Sequence, residues 1–340
     1  MNRNRTAGKK QEAIFSTGRR LVRATRNALR AVGLLLAGTL AAEAQDLADA
    51  PPAPVRFCLD APANPALQRF QRAPETARPV YRMNYWVSGT FSALATAGNV
   101  FAIPHILHAK PELTDAELAA LNPQAVNGID RWALRQDPSK REAFYKASDV
   151  MLPALMLAGG AVVLDGRVKK DWGKVLVMYY EMQAVAFTLY NFSFFGPAFQ
   201  NKIRPVAYYD YFPMSLRRGG NQRNSFFSGH VAQSTAATFF MVKVYSDYHP
   251  EIGSKKYLLY GLASVPPLVQ GYLRMKALAH FPSDILTGFA LGAVCGIAVP
   301  ALHRYHDRSV QAGVTYLPST GSAGIRLSWT PGRKRESSGR

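Results

Sequence analysis

The chain has 340 residues, 48% of them apolar, enough to bury a full core, which excludes disorder of the chain as a whole. Its net charge of +19 is partly terminal, because residues 1–30 hold nine Lys and Arg against the single acid Glu12; the excess is a basic tail rather than a nucleic-acid stripe, and no nucleic-acid partner is expected. Two cysteines, Cys58 and Cys295, exclude a disulfide-built scaffold and every multi-Cys zinc module.

The mean hydropathy of −0.09 averages charged termini with long uncharged stretches, so windows decide whether the chain enters a membrane. Residues 31–42 form a short apolar run after the basic tail, followed by Ala42, Glu43 and Ala44, a small-x-small pattern like a signal-peptidase site. A secretory signal is one reading of this stretch, and a buried or interfacial helix the other. Residues 1–44 are taken as this tail with its apolar segment, and 45–83 as an Ala/Pro-rich linker. From there six stretches of bilayer length carry almost no charge: 84–108, 147–164 (with Asp149), 175–201 (with Glu181), 224–242, 257–273 and 285–302. Taken together they predict an all-α fold, a polytopic helical bundle of about six spans occupying residues 84–303. The 109–146 link, with its mixed charges, reads as a small helical cap. Residues 304–340 form a basic tail with two short alternating β-like runs around a Ser/Gly turn, then a disordered end.

Arg167, Lys169, Lys170 and Lys174 crowd the link between spans two and three, while Lys255 and Lys256 lie between four and five. Base-rich links are cytoplasmic, which turns the links after spans one, three and five outward. Cleavage after Ala44 conflicts with this count, since it leaves the new N-terminus outside; a re-entrant or interfacial first segment, with its Asn99 and Pro104, would reconcile the two. Glu181, inside span three, is expected to face the bundle and be paired or protonated there. Tyr208, Tyr209, Tyr211, Phe226 and Phe227 read as an interfacial aromatic belt outside any site.

Three clusters at span ends hold residues that bind or transform an oxyanion. Lys202, Arg204 and Pro205 leave span three, where the bases could equally anchor the interface. Ser228 and Gly229 open span four, offering free backbone N–H groups to a phosphate, with His230 in the first turn able to donate a proton. The bland alternative is an ordinary Ser cap with an interfacial His. Between spans five and six lie Arg274, His280 and Asp284. A bond from Asp284 to one ring nitrogen of His280 would leave the other free to attack phosphorus, with Arg274 presenting a planar fork to phosphate oxygens. Against this stand helix capping by Asp284, snorkelling by Arg274, and metal ligation by His280 with Asp284, for which further ligands are missing.

In combination these residues resemble the type-2 phosphatidic acid phosphatase superfamily, whose membrane lipid phosphatase branch is related to bacterial acid phosphatases and vanadium haloperoxidases. The family pattern is a Lys six residues before Arg-Pro, then Pro-Ser-Gly-His, then Ser-Arg, five residues, His, three residues and Asp. Here the third motif keeps both spacings (Arg274, His280, Asp284), with Leu273 for the Ser; the second has Phe227 for the Pro; the first has Pro197 where the Lys stands, with Lys202 where many members carry an additional Arg. The resemblance covers about residues 147–303. It implies that His280 is a nucleophile forming a phosphohistidine, that Asp284 orients it, and that His230 protonates the leaving alkoxide and later activates water. Lys202, Arg204, Ser228, Gly229 and Arg274 would then bind the phosphate, without a metal or other cofactor. It further implies a lipid phosphate or diphosphate substrate (an isoprenyl diphosphate, a phosphatidic-type lipid or lipid A), a bilayer partner, and a bacterial inner-membrane location with the site at the extracytoplasmic, periplasmic ends of spans three to six. Lipid phosphate transfer, a non-catalytic lipid-binding or transport protein, and a vanadium haloperoxidase are the alternatives the same residues leave open.

Overall fold

The structure, a computed structural model, describes residues 79–304, 310–317 and 322–329. The signal-like 31–44 segment, the linker up to residue 78 and the final GRKRESSGR lie outside the described residues. The chain divides into two compact units, up to His303 and from Arg304 onward. In the second, β1 (Val310–Leu317) pairs antiparallel with β2 (Ser322–Trp329), placing Val310 opposite Trp329 and Leu317 opposite Ser322. These are the two alternating runs of the sequence.

The first unit is helical among its described residues. Its six long helices are α1 (Tyr85–His108), α3 (Arg141–Gly160), α4 (Trp172–Phe192), α6 (Gly229–Tyr248), α7 (Lys256–Lys276) and α8 (Pro282–His303), with the short α2 (Asp115–Ala119) and α5 (Met214–Arg218) in the links. Each long helix falls on one of the six uncharged stretches. Among the described residues three apolar segments, Tyr85–His108, Pro138–Leu164 and Pro282–His303, are long and apolar enough to cross a membrane. Leu157, Leu258, Leu262, Leu286, Val294 and Leu302 point outward, and Trp86, Trp172 and Tyr257 are exposed near helix starts. An apolar outside with aromatic rims is the surface of an integral membrane protein. The first segment is one continuous helix through Pro104, joined to α4 by Asn99, which donates to Thr188 Oγ1 (3.1 Å) and accepts from Asn191 (2.8 Å).

The core lies where α4, α6 and α8 meet, among Met178, Met182, Phe240, Val244, Cys295 and Val299. Helix α6 is the hub, touched by α3, α4, α7 and α8. Gly288, Gly292 and Gly296 on α8 face Ser228, just ahead of α6, and Ala232 and Ala236 on it; a Cβ on Gly288 would fall 2.5 Å from the Ser228 carbonyl oxygen, and one on Gly296 2.6 Å from that of Ala236. Four-residue spacing on both helices keeps this seam in register and lets the backbones touch. Glu181 Oε2 lies 3.0 Å from Nε2 of the buried His303, so it faces the bundle and is paired, as expected.

The two base-rich links lie together at one end: Arg167 reaches Glu251 (2.8 Å) and the Tyr248 carbonyl (3.1 Å), and His249 reaches Asp165 (3.1 Å). The motif residues lie at the other end. The expected 109–146 link is a cap of short helical turns only as far as Lys140, beyond which α3 has already begun; the cap starts at α2 with a capping box between Thr114 and Glu117.

Candidate active site

Four chain segments meet at the motif end. Residues 202–204 run beside 222–225 in a short strand-like contact, with Ser225 N–H donating to the Lys202 carbonyl (3.0 Å) and Arg204 N–H to that of Gln222 (2.7 Å). This sets the first motif against the second. The third motif is shaped by how α7 ends. Ala279 N–H donates to the Arg274 carbonyl (3.1 Å) and Leu278 N–H to that of Met275 (2.9 Å), with Leu278 in the left-handed region at φ 54°. That is a Schellman turn in which a leucine occupies the position glycine usually fills, at a cost of about 1 kcal/mol. Its closure fixes the six-residue step from Arg274 to His280. Pro282 then starts α8, and Asp284 in its first turn accepts the Phe281 N–H (2.9 Å).

His280 is buried, and its Nδ1 lies 2.6 Å from the Ser225 carbonyl oxygen. A carbonyl only accepts, so Nδ1 carries the hydrogen and Nε2 of the neutral ring keeps its lone pair. Burial, then the positive charges of Arg204 and Arg274, push the imidazole well below its ordinary pKa and keep it neutral. The expected orienter, Asp284, is 3.9 Å from Nδ1, beyond hydrogen-bond reach. Its oxygens instead take Ser225 Oγ–H (2.5 Å), the Phe281 N–H and Lys202 Nζ (2.7 Å). Asp284 is therefore linked to His280 through Ser225 rather than directly, and it also caps α8.

Lys202 donates to Asp284, to Asp130 Oδ2 (2.8 Å) and to Ser283 Oγ (2.7 Å), and lies over the Phe281 ring at 4.7 Å. The expectation was a phosphate-binding ammonium; in this arrangement its three donors are already committed. Asp130, from the cap, is buried and also accepts the Ser283 N–H (2.9 Å). Burial favours its neutral form, but the bonds from Lys202 and Ser283 outweigh it and hold the carboxyl below the ordinary aspartate range.

Arg204 and Arg274 are buried, and in each the Nε has no hydrogen-bond partner among the described residues. Arg204 donates from Nη2 to the Asn224 carbonyl (3.2 Å), and Arg274 from Nη1 to Asp149 (3.0 Å) and Ser148 Oγ (3.2 Å). The snorkelling alternative for Arg274 does not hold, since its guanidinium turns inward. Ser228 precedes α6, but its buried hydroxyl makes no capping bond and is likewise unpartnered. Gly229 has a packing reason of its own: a Cβ there would sit 3.0 Å from the Tyr190 ring. His230 Nε2 lies 3.1 Å from Asp149 Oδ1, so a carboxylate holds that nitrogen's hydrogen.

The sequence reading missed Ser225, Asp130 and Asp149 as site residues. A backbone carbonyl leaves no trace in sequence. Asp149 was visible as the sole charge in its stretch, a signal that an acid placed there has a partner. The aromatics are not the belt that was expected: Phe227 is fully buried edge-on to Tyr190 (5.5 Å), Tyr208 is edge-on to Phe281 (6.2 Å), and Tyr209 accepts the Gln136 N–H (3.0 Å) and donates to the Ala133 carbonyl (3.1 Å), pinning the cap. Tyr211 alone of these remains well exposed. No group of three His, Cys, Asp or Glu side chains that could hold a metal occurs among the described residues.

Residues 178–308, which carry all three motifs, match the family model of the PAP2 superfamily. Among solved structures the chain is similar to one described as the first transmembrane PAP2 type phosphatidylglycerolphosphate phosphatase from Bacillus subtilis, with 19% identity, 62% of this chain and 94% of that one covered, and a TM-score of 0.35. A search of curated proteins gave no match.

Proposed function

We propose that the protein is a membrane phosphatase that hydrolyses a lipid phosphate or diphosphate through a phosphohistidine on His280. The observation that carries the reading is the set of buried, unpartnered donors, Arg204 Nε, Arg274 Nε and Ser228 Oγ, beside a neutral His280 that feels both guanidinium charges. An orphan buried donor costs about 1–3 kcal/mol, and the oxygens of one phosphoryl group would satisfy all three.

In the first step Nε2 of His280 attacks phosphorus, the N–P bond forms and the P–O bond to the lipid breaks. The leaving oxygen takes a proton from His230. The phosphorylated ring is cationic, and its Nδ1–H remains on the Ser225 carbonyl. In the second step His230 takes a proton from water, whose oxygen attacks phosphorus; the N–P bond breaks, its electron pair returns to Nε2, and phosphate leaves. Arg204, Arg274, Ser228 and the backbone at Gly229 hold the equatorial oxygens, while Lys202 serves as a strut for Asp284. The site faces the periplasm of a bacterial inner membrane, and the basic links 165–174 and 249–256 face the cytoplasm.

Phosphate release by the purified protein from a panel of lipid phosphates, alongside bromide oxidation in the presence of vanadate, tests the reading. Release that requires His280, survives EDTA and is blocked by vanadate is expected. Bromide oxidation without phosphate release, or binding of lipid phosphate with no turnover, rejects it. For orientation, an impermeant thiol reagent on intact cells should modify Tyr211→Cys and spare Lys169→Cys.

A further inference from the structure

We propose that Arg141 is a substrate-recognition residue that holds a second phosphate beside the one being transferred, so that the site favours a lipid diphosphate over the monophosphate of the same lipid. The proposal rests on the phosphatase reading and adds to it a substrate class.

Helix α3 presents Arg141, Tyr145, Ser148 and Asp149 at steps of three and four residues, along one face. The inner end of that stripe belongs to the site already described, since Ser148 and Asp149 bond Arg274 and Asp149 reaches His230. Tyr145 continues it: the Arg274 guanidinium carbon lies 4.6 Å from its ring centroid, and that of Arg141 5.2 Å from the same centroid. The Phe212 ring centroid lies 5.7 Å from the Arg141 guanidinium carbon. Two guanidiniums thus share one aromatic ring, near enough for each to feel the other's charge.

What distinguishes Arg141 is how little of it is spent. Its side chain is 18% exposed, its closest carboxylate oxygen is 4.0 Å away on the outward-lying Glu142, and its buried Nε has no hydrogen-bond partner among the described residues. Ring contacts steady a guanidinium by its face and leave the N–H donors at its edge available, which suits a planar cation that must receive an anion. Bringing two like charges into a partly desolvated pocket is unfavourable unless an anion joins them. Arg274 together with Arg204 serves the transferred phosphoryl group. A third guanidinium one ring further on matches negative charge covalently next to that group, as in a diphosphate, and has no counterpart in a monophosphate. Lys202 cannot take this part, because it is committed to Asp130 and Asp284.

Steady-state kinetics of the full-length protein in detergent micelles, with farnesyl diphosphate and farnesyl monophosphate as probes, test the assignment. The wild-type protein should have the higher kcat/KM on the diphosphate. Arg141→Gln should raise KM for the diphosphate about tenfold with kcat within about twofold, while the monophosphate constants stay within about twofold; Arg141→Lys should recover part of the loss. Monophosphate turnover by the same variant reports its folding, and Arg141→Lys gives the same readout if Arg141→Gln does not accumulate. Equal losses on both substrates, or no loss on either, overturn the proposal. Wild-type turnover of the monophosphate with none of the diphosphate overturns it while leaving the phosphatase reading standing, whereas no His280-dependent turnover of either rejects both.

Discussion

The two histidines of the site are held in opposite ways. His280 sits in a loop, 2% exposed, with its Nδ1–H on the Ser225 backbone carbonyl; His230 sits in the first turn of α6, 28% exposed, with its Nε2 on the Asp149 side chain, which is itself about half exposed and shared with Arg274. A carbonyl fixes a tautomer but carries no net charge to favour protonation of the ring. A carboxylate fixes a tautomer and also stabilises the imidazolium. Arg204 and Arg274 act on both rings, so the difference lies in the hydrogen-bond partner: a carbonyl suits the proposed nucleophile, which must stay neutral and in one orientation, and a carboxylate offers the proposed acid and base compensation for the proton it gains and loses in each turnover. Removing each support in turn should therefore give different defects at the two histidines.

The largest effect is expected at the nucleophile. His280→Ala should abolish both phosphoenzyme formation and turnover, a loss on the order of a thousandfold or more for every substrate, because the remaining clamp can bind phosphate but not accept it. Acid-labile, base-stable labelling from a radioactive substrate checks it, and label persisting in the variant would move the nucleophile elsewhere. Next comes the scaffold behind it. Lys202→Met leaves Asp284 and Asp130 as buried acids without their cation, and should cost about 3–5 kcal/mol of stability as well as activity. A variant with wild-type thermal stability and only a raised KM would show instead that Lys202 binds substrate.

The sequence made the skeleton of this arrangement legible and left out what joins its parts. Arg274, His280 and Asp284 could be read from spacing because a Schellman turn and a helix start are local, each fixed within a few residues. Six helices could be placed because uncharged stretches of bilayer length are long, strong signals. The polar faces of α4 and α6 lie inside the bundle, which lowers their hydropathy; Gln233, Ser234, Thr235 and Thr238 are all buried on α6. The Ser225 carbonyl, the Asp130–Lys202 pair and the Asp149 bridge each join segments separated by 55 to 125 residues, through bonds that no local pattern specifies. The Gly288, Gly292 and Gly296 seam was open to view as a four-residue repeat, and its partner face on α6 was not.

At the acid, a smaller and selective effect is expected. Asp149→Asn keeps the shape of the bridge but removes the charge that favours imidazolium, and should lower kcat about ten- to a hundredfold on an alkyl phosphate lipid. On an aryl phosphate, whose leaving group needs little help, the loss should be slight, and His230→Ala should show the same dependence on leaving group more strongly. Equal losses on the two substrates would mean that Asp149 serves Arg274 alone.

The smallest effect concerns stability rather than rate, and it isolates the burial of His280. An unfolded chain protonates this histidine near pH 6.5, whereas the folded protein holds it neutral far below that. Between the two values the unfolded state binds one more proton than the folded state, so stability rises with pH across the window. This contribution is fully present above about pH 6.5 and is lost as pH falls toward the folded-state value, with a slope of at most about 1.4 kcal/mol per pH unit. Chemical unfolding of the wild type and of His280→Asn, compared between about pH 7 and pH 5, gives the difference directly. The variant should lose this part of the slope while the wild type keeps it. A slope unchanged by the substitution would show that the ring is not held neutral by its surroundings, and the contrast between the two histidines would then rest on hydrogen bonding alone.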